Sequence, residues 1–356
     1  MRLILMGTGP FAIPAFSAIA ERRDLEIAAV VTKPTADAKN AVESPVAVWA
    51  RSIGVTVLQP HRIRDAAAVA DLRSLSADLS VVCDYGQILS REALEAARLG
   101  SINLHGSILP RHRGAAPVQW AILSGDRTSG VSVIRMTEGL DAGAVIAAEE
   151  TDIGPDENAE ELERRLSQMG VGPTLTAIER LRSCPDLNSA LAIGEPQNDG
   201  LATRAPRLRK SDGQLDFRLD AVILDRIVRA MQPWPGGFAD LETTDGKRTR
   251  CIIHRSLAAA EITAVHTDET DSPPGEVVPG EVVPWKLLGS PIREYLAAAA
   301  GGAPAELYVR CGRGWLGVVE IQAAGKRRMG GGQFAAGACR GRTARFAVPE
   351  STSLVV

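Results

Sequence analysis

The alternation of short apolar runs with helix-length stretches constrains this chain more than any other feature. Leu3–Met6, Ile27–Thr32, Val55–Leu58, Leu79–Cys83 and Ser101–Leu104 are brief and mainly apolar. Between them lie Ala- and Leu-rich stretches, with helices predicted at Phe11–Glu21 and Val46–Ser52. Strands that are apolar throughout bury both faces, which calls for a parallel sheet covered by helices on either side. The fold class is therefore α/β, with a doubly wound, mostly parallel sheet in the N-terminal domain. Such sheets bind ligands beyond the carboxyl ends of their strands, near the point where strand order reverses. A later strand pair is predicted at Val131–Arg135 and Ala144–Ala148, and one long helix at Glu157–Leu181.

From Ser183 to Gly200 the sequence turns rich in Pro, Asn, Asp and Gly, the mark of a linker. Beyond it come Leu215–Phe217, a predicted helix at Ala221–Met231, and short runs at Cys251–His254, Glu306–Arg310 and Trp315–Ile321. Many short strands with turn signals predict a second, smaller, β-barrel-like domain of the OB type. The expected division is 1–182, a linker over 183–208, and 209–356. The tandem GEVVPGEVVP at Gly275–Pro284 has too few copies for a repeat architecture and reads as a loop elaboration.

A chain of 356 residues, 45% of them hydrophobic, suffices for two cores. No apolar run approaches the ~20 residues that span a bilayer, and Met1–Gly7 runs into a turn too soon for a secretory segment. The five cysteines are odd in number and scattered, without a CxxC pair, which argues against a disulfide framework and a zinc site. A cytoplasmic protein is expected, with no membrane partner and no metal. Charge divides unevenly: residues 1–200 carry 19 Lys and Arg against 26 Asp and Glu, and residues 201–356 carry 21 against 17. The basic back half is the part suited to a polyanion.

Gly7-Thr8-Gly9 opens a helix after the first strand, as dinucleotide sites do. The acid that would hold a ribose hydroxyl ~20 residues on is missing from Val30–Lys33, so the glycines read as a tight turn and NAD is not expected.

The stretch INLHGSILPRHRG at Ile102–Gly114 carries more. A lone strand-end histidine is usually a satisfied core residue, but Asn103 and His105 share strand parity, so both side chains leave one face. Gly106 and the turn after it let a ligand approach the backbone. Asp141 lies in the glycine-flanked loop EGLDAG between two predicted strands, a setting typical of functional carboxylates. Amide, imidazole and carboxylate suit acyl transfer to an amine: the first two stabilise an oxyanion, and the carboxylate orients the ring. With the acceptor as nucleophile, no serine or cysteine is required.

INLHGSILPRHRGAAPVQWAILSGD, followed by TEGLDAG, resembles the folate-dependent formyltransferases. The resemblance implies that Asn103, His105 and Asp141 are catalytic. It also implies that Ser107, Ile108, Leu109 and Pro110 contact tetrahydrofolate, and that Tyr85–Leu89 is a second folate loop. GTGPFAIPAF, SPVAVWA, RAMQPWPGGF and IQAAGKRRMGGGQFAAG are similar to the methionyl-tRNA branch over nearly the whole chain. That implies 10-formyltetrahydrofolate as co-substrate, no metal, and initiator methionyl-tRNA as acceptor, acted on by a monomer. The basic residues Arg204, Arg207, Arg209, Lys210, Lys326, Arg327, Arg328, Arg340, Arg342 and Arg345 become candidate phosphate contacts in this light. Two departures stand out. Pro34–Glu43 holds neither the glycines nor the arginines of the family's tRNA-probing loop, and only Lys39 is basic. Gln87 and Ser90 replace an apolar residue and a proline. The rival readings are a formyltransferase acting on a nucleotide-linked amino sugar and a non-catalytic RNA-binding scaffold. The basic C-terminal block opposes the first and the intact Asn/His/Asp set opposes the second.

Overall fold

The computed structural model describes residues 1–35, 42–259, 279–284, 286, 293, 305–338 and 344–349. Lys39, Arg340, Arg342 and residues 275–278 of the tandem segment lie outside them. The chain forms two compact units, one of residues 1–121, 126–153 and 161–207, the other of 122–125, 154–160 and 208–356.

The first unit is built on seven described strands: β1 (Arg2–Gly7), β2 (Glu26–Val31), β3 (Val57–Leu58), β4 (Leu79–Cys83), β5 (Ser101–His105), β7 (Thr128–Arg135) and β8 (Val145–Asp152). Their order is β3-β2-β1-β4-β5-β7-β8. The pairs from β3 to β5 are parallel, and β7 and β8 add antiparallel to one edge. Every residue of β4 is buried, as its apolar run predicts for a strand covered on both faces. Strand order reverses between β1 and β4, which places a crevice at their carboxyl ends.

Two expectations change here. The predicted helix Glu157–Leu181 is two helices, Ala159–Met169 and Val171–Arg182. Pro173 has no N–H to offer the Met169 carbonyl, so the ladder breaks at Gly170. Residues 183–207, read as a linker, belong to the first compact unit. A helix spans Leu187–Leu191, and the buried Arg135 guanidinium donates to the Ala190 carbonyl at 2.5 Å and the Leu99 carbonyl at 2.7 Å. Further on, β9 (Arg204–Ala205) pairs in parallel with β6 (Arg113–Gly114).

The second unit holds an antiparallel sheet in the order β12 (Val282–Pro284), β13 (Leu307–Arg310), β14 (Trp315–Ala323), β11 (Arg248–Ala259), β10 (Gly237–Thr243), β16 (Ala344–Phe346), with β15 (Met329–Gly330) pairing β14. A bridge between Glu281 and Arg345 brings the two ends together, so the sheet nearly closes into a barrel. Val282–Pro284 is thus a barrel strand, not the loop its tandem copy suggested. Its core includes Ile253, Leu307, Leu316, Val318 and Ile321. Phe217 stacks on Phe346 with ring centroids 5.0 Å apart. The helix Ala221–Ala230 buries Leu224, Ile227 and Val228, one apolar stripe at helical spacing.

Candidate active site

Beyond the carboxyl ends of β4 and β5 lies a cavity of about 690 Å³, within the ~300–1,000 Å³ of small-molecule sites. Val82, Leu89, Leu94, Leu104 and Met136 give it apolar walls. Asn103, His105 and Asp141 all line it, with Lys33, Asp84, Gln119, Glu163 and Arg207. As their shared parity predicts, Asn103 and His105 leave β5 toward the same cavity.

His105 is only 5% exposed. Its Nε2 lies 3.0 Å from the His112 carbonyl oxygen, which only accepts, so the proton on Nε2 is committed to that bond. Nδ1 is left facing the Asp141 carboxylate, 3.7 Å away, a separation longer than a hydrogen bond. Asp141 holds a left-handed backbone, φ +47°, and its Oδ2 accepts from the Gly114 N–H at 2.9 Å. The glycine at 143 is forced, because a Cβ there would stand 1.7 Å from the Arg135 carbonyl oxygen.

The carbonyl that fixes His105 belongs to a residue with its own restraints. His112 has φ +62°. Its N–H donates to Thr203 Oγ1 at 2.8 Å and its Nε2 lies 2.7 Å from Asp126 Oδ2. Arg111 grips the same carboxylate. Burial holds the His112 imidazole below its ordinary range, outweighing Asp126, which raises it; Arg111 and His105 add to the lowering. The neutral ring, protonated at Nε2, leaves only a lone pair at the buried Nδ1, which has no hydrogen-bond partner among the described residues. The native state thus takes up this proton later than the unfolded chain. Its stabilising effect is present above about pH 6.5, the ordinary imidazole value, and is lost as pH falls from there through the lowered native value. Thermal melts between pH 7 and 5 are expected to fall more steeply for the wild type than for His112→Gln; parallel curves would rule out this proton.

Asp84 opens on the cavity in a left-handed conformation, φ +47°. Burial raises its carboxyl above the usual range, against Lys33, a Gly9 N–H bond and Arg207, which lower it. Neither it nor Glu163 carried a sequence signal. Tyr85–Leu89 lines the cavity, as the second-loop resemblance implies. The departure at Gln87 has a local reason: its amide accepts from the Ile63 N–H at 2.9 Å and donates to the Pro60 carbonyl at 3.1 Å, pinning the neighbouring loop. Ser90 caps the helix Arg91–Leu94.

Ser107, Ile108, Leu109 and Pro110 do not line this cavity. They form the turn behind His105, where Ser107 Oγ donates to the Arg111 carbonyl at 2.7 Å and the Leu109 N–H donates to Ser132 Oγ at 3.1 Å. Of the basic candidates, Arg204, Arg207, Arg209, Lys210, Lys326, Arg327, Arg328 and Arg345 are all exposed. Lys326–Arg328 crown the β14–β15 hairpin.

Known proteins match the chain over nearly its whole length. The formyl transferase family matches residues 1–178, and the formyl transferase C-terminal domain matches residues 207–284. A methionyl-tRNA formyltransferase from Rhodopirellula baltica is 41% identical over 95% of this chain and 94% of its own length. One from Lachnospira eligens is 36% identical over 95% and 96%. Among solved structures, the N-formyltransferase of Helicobacter canadensis aligns over 92% of this chain and 100% of its own with a TM-score of 0.57 and 14% identity. Methionyl-tRNA formyltransferase from Clostridium thermocellum aligns over 72% and 92% with a TM-score of 0.50 and 15% identity. These last two likenesses concern the fold. The extent and identity of the sequence matches place this chain in the methionyl-tRNA formyltransferase family.

Proposed function

We propose that this protein transfers the formyl group of 10-formyltetrahydrofolate to the α-amino group of methionyl-initiator tRNA, with Asn103, His105 and Asp141 as its catalytic set. The observation that supports the assignment of these residues is their meeting in one cavity, with His105 tied through Nε2 so that Nδ1 faces Asp141. The apolar walls and the backbone of Tyr85–Leu89 and Met136–Asp141 suit a flat, polar-edged ring such as a pterin. Ser107, Ile108, Leu109 and Pro110 serve folate by holding the turn that presents His105 and Gly106.

The co-substrate supplies an activated formyl carbon when bound. Asn103 donates its amide N–H to the formyl oxygen as negative charge develops there, and a proton at His105 Nδ1 adds to that stabilisation. Asp141 orients the imidazole and offsets its charge. The acceptor amine, attacking in neutral form, gives up its proton within the same group of side chains, and the leaving nitrogen takes one up. One chain supplies all three groups, and we take the enzyme as a cytoplasmic monomer.

The acceptor is a polyanion, and the salt slope of binding falls by roughly one unit for every phosphate that the protein no longer neutralises. With no arginine in Pro34–Glu43, affinity rests on the basic clusters at Arg204–Lys210, Lys326–Arg328 and Arg340–Arg345. Replacing Lys326, Arg327 and Arg328 together by alanine is expected to raise KM for tRNA and flatten its salt dependence, while the rate at saturating tRNA changes little. An unchanged slope in the triple variant, with binding abolished by Lys39→Ala, would assign recognition to the loop. The function itself is tested by single-turnover transfer from 10-formyltetrahydrofolate. Formyl should reach charged initiator tRNA and leave the uncharged tRNA unmodified; equal labelling of both would refute the assignment.

A further inference from the structure

Gln197 sits in the polar stretch that composition marks as a linker, yet its side chain reaches the loop of Asp141. Its Nε2 donates to the Asp141 carbonyl at 2.8 Å and to the Gly143 carbonyl at 2.7 Å. Its Oε1 accepts from Arg113 Nε at 3.0 Å and Nη2 at 2.7 Å. Two N–H groups donate and one oxygen accepts twice, so the amide is fully used. Arg113 is the first residue of β6, and the next residue, Gly114, gives its N–H to the Asp141 carboxylate. The residue before it, His112, offers the carbonyl that holds His105. Asp141 is thus gripped twice from one short strand, directly at its carboxylate and through Gln197 at its backbone.

We propose that Gln197 is a positioning residue for formyl transfer, coupling the Asp141 loop to the strand that also fixes His105. The proposal rests on the catalytic reading of Asp141 and His105. Only glutamine fits the role. Glutamate keeps its partnership with Arg113 but has no hydrogens for the two carbonyls, and asparagine is one methylene short. A left-handed Asp141 without this clamp relaxes toward ordinary backbone, and small displacements of reacting groups are costly in rate.

The test is a mutant cycle read by steady-state kinetics on the full chain, with 10-formyltetrahydrofolate and methionyl-initiator tRNA. Gln197→Ala and Gln197→Glu are each expected to lower kcat about tenfold, with KM for tRNA within twofold of wild type. In an Asp141→Asn background the loss from Gln197→Ala should shrink below twofold, because residues acting through one group are not additive. Near-wild-type kcat in Gln197→Glu would overturn the proposal, since an anchor for Arg113 alone is rescued by a carboxylate. The same tenfold loss in both backgrounds would also overturn it. If Asp141→Asn and His105→Ala are slow while Gln197→Glu is fast, the proposal alone fails; if both of those variants turn over normally, the catalytic reading fails and takes the proposal with it.

Discussion

His105→Ala and Asn103→Ala are each expected to slow formyl transfer by ~10²–10³ at saturating substrates, the usual effect of removing one donor aimed at a developing oxyanion. Both side chains project from β5 into the one cavity that also holds Asp141. Their contribution grows as charge appears on the formyl oxygen, so the loss should fall on kcat and much less on folate affinity. His105→Ala also leaves the His112 carbonyl without its Nε2 donor, and a buried polar group left unpaired costs ~1–3 kcal/mol. Rates are therefore to be compared well below the melting temperature of the weaker variant. His105→Ala with near-normal turnover at saturating substrate would remove His105 from the chemistry.

Gly114→Ala is expected to lose both stability and activity, and for one reason. Gly114 has φ +137°, and a Cβ there would lie 2.3 Å from the Ala205 carbonyl oxygen. That clash is with backbone, so β6 must part from β9, and the Gly114 N–H leaves the Asp141 carboxylate. A displacement near 1 Å costs up to ~10² in rate, and strained backbone costs ~1–3 kcal/mol. Gly246→Ala is the matched control: φ is +78° there and nothing stands within 4 Å of the added methyl. It should lower the melting temperature while leaving kcat at the wild-type level. If the two variants differ only in stability and share one kcat, the β6–β9 pair does not serve the site.

Most of the first unit was legible because its strands are continuous apolar runs, and such runs have few alternatives to a buried parallel sheet. Asn103 and His105 were legible through parity, and Asp141 through its flanking glycines. What escaped has a common cause. Gln197 and Thr203 come from the segment read as a linker, and a hydrogen bond between residues 56 positions apart, as from Gln197 to Asp141, leaves no periodic trace. The strand β9 is only Arg204 and Ala205, and a two-residue pairing is too short to show as an apolar run. Asp84 likewise owes its raised carboxyl to burial, which the folded sheet imposes and the sequence does not announce. The split of Glu157–Leu181 was readable in principle, since Pro173 stands within it.

The measurement that bears hardest on the proposed function sets three acceptors against one another at fixed 10-formyltetrahydrofolate: methionyl-initiator tRNA, methionyl-elongator tRNA and a nucleotide-linked amino sugar. The value of kcat/KM is expected to be highest for methionyl-initiator tRNA, lower for the elongator and at background for the amino sugar. The margin between the two tRNAs should be narrower than in relatives whose loop carries arginines, because Pro34–Glu43 has none. A kcat/KM for the amino sugar equal to or above that for methionyl-initiator tRNA would contradict the assignment of the acceptor.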